Sequence, residues 1–552
     1  MSTVHRLFPA LNRRTFLLAT AAVWAGARAG TVVGAPTADD PLAPIVKTRQ
    51  GRLQGRTHGT IHRYKGIPYG ASTAGENRFL PPQPPAAWRG VRDASQYGHP
   101  APQLFRSHAT YPFHAWVDNE TQSEDCLCLN VWAPATAVKT PRPVMVWFHG
   151  GGYSRGSGGL PIYDGQHLAE QGDVVVVTVN HRLNIFGYLH VAKGADARFA
   201  SSGNAGQLDL IAALQWVREN IANFGGDASN VTIFGESGGG AKVSTLLGMP
   251  AAQGLFHKAI VQSGAWTEVL PAADADAVAA RVFAHFALQP GQVQALQQIP
   301  TADLYACFSQ LQNAPLAPVL DGLAIPRQTW TPAAPPYAHD IPLLVGNTTD
   351  ETAAFIDAAL LEPIADDAAL IAKITKAGGK RLADSGQVAA LLALYRAQMP
   401  GLSRTQLLVR ITTDSGMWRN ALTLAERQHA AGGAPAYLYE FAWTTPCFAG
   451  QWALHALDIP FMFGNHDYGA SWDPADSQAV RDAADPQHDY LLLSAQMIAM
   501  WTNFARTGNP SIAALGAWPA YTPEHRYTMV LDRHAHLMSG LREAVRPAIM
   551  AL

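Results

Sequence analysis

The sequence predicts an α/β architecture: a central, mostly parallel sheet with helices on both faces. Three observations carry this. Short apolar runs recur at residues 144–148, 174–179, 231–234 and 341–345, the length and character of strands buried on both sides. A helical stripe lies between the second and third runs, with Leu210, Leu214, Val217, Ile221 and Phe224 spaced by four and three, so that all five share one face. Strand and helix signals then alternate, as crossover connections between parallel strands require.

Taken in chain order, the first element stands outside this fold. Within the first 29 residues lie Arg6, Arg13, Arg14 and Arg28 and no acidic residue. Arg13-Arg14 opens an apolar stretch from Phe16 to Ala27, and Ala27-Arg28-Ala29 follows as a small-x-small cleavage pattern. This reads as a twin-arginine (Tat) export signal. The apolar stretch is too short to cross a bilayer core of roughly 30 Å, and no later stretch reaches that length. The expected organisation is therefore a signal at 1–29 and one large domain at 30–552, exported to the periplasm or secreted by a bacterium, with no stable membrane anchor. Removing the four arginines takes the formal net charge from −2 to −6.

The rest of the chain has no repeat and no long linker. Its residues are 48% hydrophobic and 15% charged, which allows a large core and argues against disorder or a nucleic-acid-coating role. Residues 31–44 read as an extended lead-in. Residues 270–310 and 355–430 are rich in Ala, Leu and Gln and read as helical insertions that cap the sheet. Cys126 and Cys128 share a face of a strand-like run, without the spacing of a zinc site nearby.

The chemistry begins at Gly235-Glu236-Ser237-Gly238-Gly239. This G-x-S-x-G follows the strand at 231–234 directly and precedes a helical pattern at 241–247. A nucleophile on so tight a strand-to-helix turn is held in strained backbone geometry, with glycines where side chains would collide. The following helix aims free N–H groups at the reacting centre. Upstream, the strand at 144–148 runs into His149-Gly150-Gly151-Gly152-Tyr153. Bare glycine backbone brings N–H groups close to a ligand, as an oxyanion hole needs. The phosphate-loop pattern fails here, because no Gly-Lys-Ser/Thr follows.

A serine hydroxyl needs a histidine to take its proton and a carboxylate to orient that histidine. After a nucleophile elbow of this kind the chain order is serine, acid, histidine. The strand at 341–345 is followed by Asp350 and Glu351, and a late loop carries His455, with His466 beyond it. Chemistry alone leaves Asp350 or Glu351, and His455 or His466, open.

At these residues the sequence resembles the type-B carboxylesterase family, which includes cholinesterases and bacterial para-nitrobenzyl esterases. The likeness runs from about Val46 to the C-terminus. It includes Tyr64-Lys65-Gly66-Ile67-Pro68-Tyr69, Ser123-Glu124-Asp125-Cys126-Leu127-Cys128-Leu129-Asn130, Asn180-His181-Arg182-Leu183 and Trp501-Thr502-Asn503-Phe504-Ala505. The resemblance implies an α/β-hydrolase fold and a serine ester hydrolase without metal or cofactor, acting on a small-molecule ester and not on nucleic acid. It implies Ser237 as nucleophile, Glu351 as acid, His455 as base, and the amides of Gly151, Gly152 and Gly238 as oxyanion donors. Asp458 matches a buried acid that supports the histidine. Tyr153 is a candidate substrate contact. So are Trp116 and Glu236, because cholinesterases use a Trp at this spacing from Cys126, with the acid before the serine, to hold cations.

The chain departs from that pattern in three places: no Cys precedes Cys126 to form the disulfide the family often has there, Gly238 stands where the family usually has Ala, and Asn184 where it usually has Gly. Asn tolerates left-handed backbone, so the Asn184 substitution is expected to be benign. Two rivals remain at this stage: an amidase or acyltransferase with the same machinery, and a non-catalytic cholinesterase-like binding protein.

Overall fold

The computed structural model describes residues 40–552 except 104–120, 138, 312–313, 356–362, 446–451, 467–482 and 484. The predicted export signal at 1–29 and Trp116 lie outside the described residues.

An eleven-stranded sheet forms the frame. In chain order its strands are β1 (Arg56–His58), β2 (Ile61–Pro68), β3 (Cys128–Pro134), β4 (Arg142–Phe148), β5 (Val175–Val179), β6 (Gly226–Glu236), β7 (Lys258–Gln262), β8 (Leu343–Thr348), β9 (Ala436–Phe441), β10 (Thr528–Leu531) and β11 (His536–Met538). Their spatial order is β1-β2-β3-β5-β4-β6-β7-β8-β9-β10-β11. The stretch from β5 to β10 is parallel throughout. The β1, β2 and β3 strands and the β11 edge are antiparallel. The four apolar runs of the sequence are β4, β5, β6 and β8.

Why these runs are strands follows from the alternation of their side chains. Val144, Val146 and Phe148 point into one core, and Met145 and Trp147 into the other. Val175 and Val177 likewise oppose Val174 and Val176. A residue period of two with apolar residues on both faces gives an uninterrupted apolar strand. One core is closed by α1 (Ala205–Asn220), whose Leu210, Leu214 and Val217 carry the predicted stripe. A short 3-10 turn carries Ile221 and Phe224, and Gly225 ends it at φ 80. The other core is closed by the helix Asp489–Thr507, through Met497, Trp501 and Phe504.

The two helical insertions differ in their packing. The helices Asp367–Ala377, Ser385–Gln398, Arg404–Thr413 and Arg419–Ala430 join the first core through Leu370, Leu391, Leu407 and Leu424. The helices Ala272–His285, Val293–Gln297 and Thr301–Gln310 build a separate cluster with Phe186 and Phe199. Residues Pro41–Leu552 form one unit. Among the described residues, no helix is long and apolar enough to cross a membrane.

Two buried ion pairs tie loops to this frame. Arg182 meets Asp209 at 2.6 Å, with the side chains 1% and 0% exposed. Arg78 meets Glu124 at 2.5 Å, also buried. Asn184 adopts φ 45, the left-handed geometry expected of a Gly substitute. Its amide donates to the carbonyls of Pro102 and Ser154 at 2.8 and 3.2 Å, which fixes the substitution in place.

Candidate active site

Loops from the C-terminal ends of adjacent parallel strands meet at one place, the usual position for a site in an open α/β sheet. The β6 strand ends at Glu236, and α2 (Gly238–Leu246) begins two residues later. Ser237 between them holds φ 55 and ψ −122. A non-glycine residue rarely adopts this conformation, so the turn stores strain at the candidate nucleophile. Its backbone is held by donation from the Ser237 N–H to Gln262 O at 2.8 Å and from Ala241 N–H to Ser237 O at 2.9 Å. The glycine two residues after the serine is required by close approach: a Cβ on Gly239 would sit 1.9 Å from the carbonyl oxygen of Phe148.

That contact brings in the second loop. The β4 strand pairs with β6 so that Phe148 lies opposite Gly235, and 149–153 therefore leaves the sheet beside the elbow. A Cβ on Gly150 would lie 3.5 Å from Ser237 Cβ. Gly151 and Gly152 take φ 86 and φ 64, a left-handed pair that L side chains resist. Tyr153 is only 8% exposed, and its ring meets Tyr188 edge-on at 4.9 Å.

The acid and the base are brought together by backbone register. Asp350 bridges in parallel to Leu454, so their successors Glu351 and His455 fall side by side. Asp350 N–H donates to Ala453 O at 3.1 Å, and Ala453 N–H returns a bond to Asp350 Oδ2 at 3.0 Å. Arg410 pairs with the same carboxylate at 3.2 Å. Asp350 is thus occupied in joining the two loops. Glu351, fully buried, accepts Thr348 N–H at 2.8 Å on one oxygen and bonds His455 Nδ1 with the other. His466 packs instead against Phe461 and Tyr490, with ring centroids 6.0 and 5.5 Å away.

The electrostatics centre on three buried carboxyls around one imidazole. His455 Nε2 lies 3.1 Å from Glu236 Oε1. Burial lowers the imidazole's pKa, but Glu236, Glu351 and Asp458 together raise it to about 9. Burial pushes the Glu236 carboxyl well above the carboxylate range, opposed by His455 and reinforced by Asp458 and Glu351. Asp458 accepts from Gln262 Nε2 and Tyr439 OH, each at 2.9 Å. Burial raises it to about 6 despite those bonds. Among the described residues, no group of three or more His, Cys, Asp or Glu side chains is placed to hold a metal ion.

Three residues escaped sequence reading. Phe355 stands 56% exposed and packs on the His455 ring with centroids 4.8 Å apart. Gln262 joins Asp458 to Trp501, whose indole donates to its Oε1 at 3.2 Å. Lys242 is fully buried on α2. Only Lys242 left a signal: a lone charge in the otherwise small and apolar run Gly238-Gly239-Gly240-Ala241-Lys242-Val243.

An elbow serine, a glycine loop and a carboxylate–imidazole pair at the C-terminal ends of the parallel strands can perform acyl transfer. Comparison with known proteins agrees. The Carboxylesterase family model matches residues 42–547. A para-nitrobenzyl esterase of Bacillus subtilis (strain 168) is 39% identical over 502 residues, covering 88% of this chain and 94% of its own. A fumonisin B1 esterase of Sphingopyxis macrogoltabida is 31% identical over 506 residues, 91% of this chain and 89% of its own. Among solved structures, a thermophilic PNB esterase superposes with a TM-score of 0.76 at 35% identity, covering 92% of this chain and 99% of that one. The chain belongs to the carboxylesterase family and is an ester hydrolase of the α/β-hydrolase fold.

Proposed function

We propose that ester hydrolysis runs through a Ser237–His455–Glu351 triad and an acyl-enzyme intermediate. The observation that carries this reading is the Glu351–His455 bond, with His455 Nε2 3.1 Å from Glu236, the residue that precedes the elbow serine at φ 55. With Nδ1 bound to Glu351, Nε2, which lies 3.1 Å from Glu236 Oε1, is the nitrogen that takes the serine proton. Ser237 Oγ attacks the ester carbonyl carbon while Nε2 accepts the hydroxyl proton. The carbonyl oxygen becomes an anion facing the amides of Gly151, Gly152 and Gly238. Collapse expels the alcohol, which takes the proton from Nε2. Water then attacks the acyl-enzyme with the same base, releasing the acid and restoring Ser237. Glu351 stabilises the imidazolium formed in each half-reaction.

The substrate is a small-molecule ester. Phe355, beside the imidazole and half open to solvent, offers a flat apolar wall to one side of it. The reading is completed by export: Arg13-Arg14 and the apolar stretch behind them direct the folded enzyme to the periplasm or beyond.

Ser237→Ala tests the mechanism. The variant should stay folded by circular dichroism, lose hydrolysis of para-nitrophenyl esters by a factor on the order of 10⁴ or more, and gain no mass when treated with a fluorophosphonate that labels the parent. Undiminished hydrolysis in the variant would overturn the reading.

A further inference from the structure

Lys242 is unusual on physical grounds. Its side chain is fully buried, and among the described residues no carboxylate forms an ion pair with it. Burying an ammonium without a counter-ion is expensive. Burial pulls its pKa down to about 7. The imidazoles of His149 and His181, whose charged forms Lys242 disfavours, offer no counter-charge. His149 and His181 stack at 4.7 Å, and burial, with Lys242 adding to it, holds both well below the normal imidazole range. The ring of Tyr153 lies 5.7 Å from the amine.

What the amine does hold is the glycine loop. Lys242 Nζ donates to the carbonyl oxygens of His149 at 2.9 Å and Gly152 at 3.0 Å. Those two peptide groups flank the two that carry the N–H of Gly151 and Gly152. The lysine therefore pins both ends of a three-glycine segment whose middle presents the proposed oxyanion donors. Glycine backbone is the most costly to order, so such a segment needs an external anchor to keep two consecutive left-handed residues aimed. A neutral amine keeps two N–H groups, so both bonds persist in either protonation state.

A second observation, independent of the lysine, places the same loop hard against the same helix. A Cβ built on Gly238 would lie 2.2 Å from Gly152 O and 2.5 Å from its N and Cα. Residues 238 and 242 are four apart on α2 and face the same way. Gly238 is thus the floor on which the loop rests, and Lys242 is the tie that draws it down.

We infer that Lys242 is a positioning residue for the oxyanion hole: its two hydrogen bonds seat the 149–152 loop on Gly238 and keep the loop amides directed at the developing oxyanion. This rests on the Ser237 acyl-transfer reading above. It also explains why this chain has Gly at 238: the clamped loop leaves no room for a methyl group.

The test uses the full-length enzyme, with rates normalised by active-site titration. Variants are Lys242→Met, Lys242→Gln, Gly238→Ala and Gly238→Ala with Lys242→Met. Assays are hydrolysis of para-nitrophenyl acetate and inhibition by a trifluoromethyl ketone, which forms a tetrahedral oxyanion at a serine, against a non-electrophilic alcohol of the same shape. Loss of one oxyanion donor costs roughly 10²–10³ in rate. Lys242→Met should lower kcat by about 10–10² with KM changed less than about threefold, and weaken the trifluoromethyl ketone by a similar factor but not the alcohol. Lys242→Gln, which keeps N–H donors without charge, should recover part of the loss. Gly238→Ala should cost at least about 10² in the parent and much less once Lys242→Met frees the loop.

Unchanged kcat and ketone affinity in Lys242→Met would overturn the proposal, as would additive losses in the double variant. If Lys242→Met does not fold, Gly238→Ala decides: full activity and parental ketone affinity would show that the loop is not seated as inferred. Failure of the underlying mechanism is separate, because it shows as retained hydrolysis in Ser237→Ala.

Discussion

Replacing Glu236 with Gln should move the pH dependence of the enzyme by a measurable and signed amount. Glu236 Oε1 and His455 Nε2 are 3.1 Å apart, and both side chains are nearly inaccessible. For two full charges at that distance and an effective dielectric of about 20, the attraction is ~5 kcal/mol, or about 4 pH units. This is a ceiling, because burial disfavours the charged form of the Glu236 carboxyl. A partner so placed typically shifts a pKa by about 1–3 units, and a displacement of about 1–2 units is expected here. The sign follows from the task the proposed mechanism gives the base. On that mechanism His455 must be neutral to accept the serine proton, so kcat/KM rises with pH through the histidine's free-enzyme pKa. After burial, which lowers that pKa, Glu236 is its largest influence and raises it. Gln removes the negative charge, the pKa falls, and the acid limb moves to lower pH. The assay is kcat/KM for para-nitrophenyl acetate from pH 5 to 10, each profile scaled to its own plateau. An acid limb that stays put or moves upward would refute the reasoning.

Other outcomes follow from the same structure. Glu351→Gln leaves a neutral amide opposite His455 Nδ1 and removes the charge that steadies the imidazolium, so kcat should fall by about 10²–10⁴ while KM changes little; a loss under threefold would argue for Asp350 instead. Phe355→Ala should raise KM for aryl esters by roughly 2–10-fold, the worth of one aromatic contact, and leave small acetates alone; equal effects on both would remove its role as a wall. Asp209→Asn strands the buried Arg182 charge and should cost about 3–5 kcal/mol in urea unfolding, and an unmoved midpoint would contradict that. Replacing Arg13 and Arg14 together with Lys should retain the enzyme in the cytoplasm of a Tat-competent bacterium, and undiminished export on cell fractionation would show that the pair is not the signal.

Much of the frame was legible without coordinates because its signals are local. Residues 174–179 can only be a strand buried on both faces, since six consecutive apolar or β-branched residues suit neither a turn nor a half-exposed helix. The stripe from Leu210 to Phe224 and the turn at Gly225 are similarly local, and they reappear as α1 and its left-handed stop. The elbow was legible because strain at Ser237 demands glycines in fixed positions around it. The choice between Asp350 and Glu351 was not. The two are adjacent and chemically alike, and only the likeness to a family favoured one. In the fold, the bridge from Asp350 to Leu454 settles which carboxylate faces which ring, a contact across 104 residues of sequence.

By itself, the sequence determined the architecture, the elbow serine and the glycine loop, because strand alternation, helical period and steric exclusion act over a few residues. Tertiary structure decided what depends on distant elements meeting in a dry interior: the pairing of Glu351 with His455, the approach of Glu236 that raises the imidazole's pKa against the effect of burial, and the grip of Lys242 on the loop. These are effects of burial and proximity, and a charge buried at 3 Å from a partner has properties that neither residue has alone.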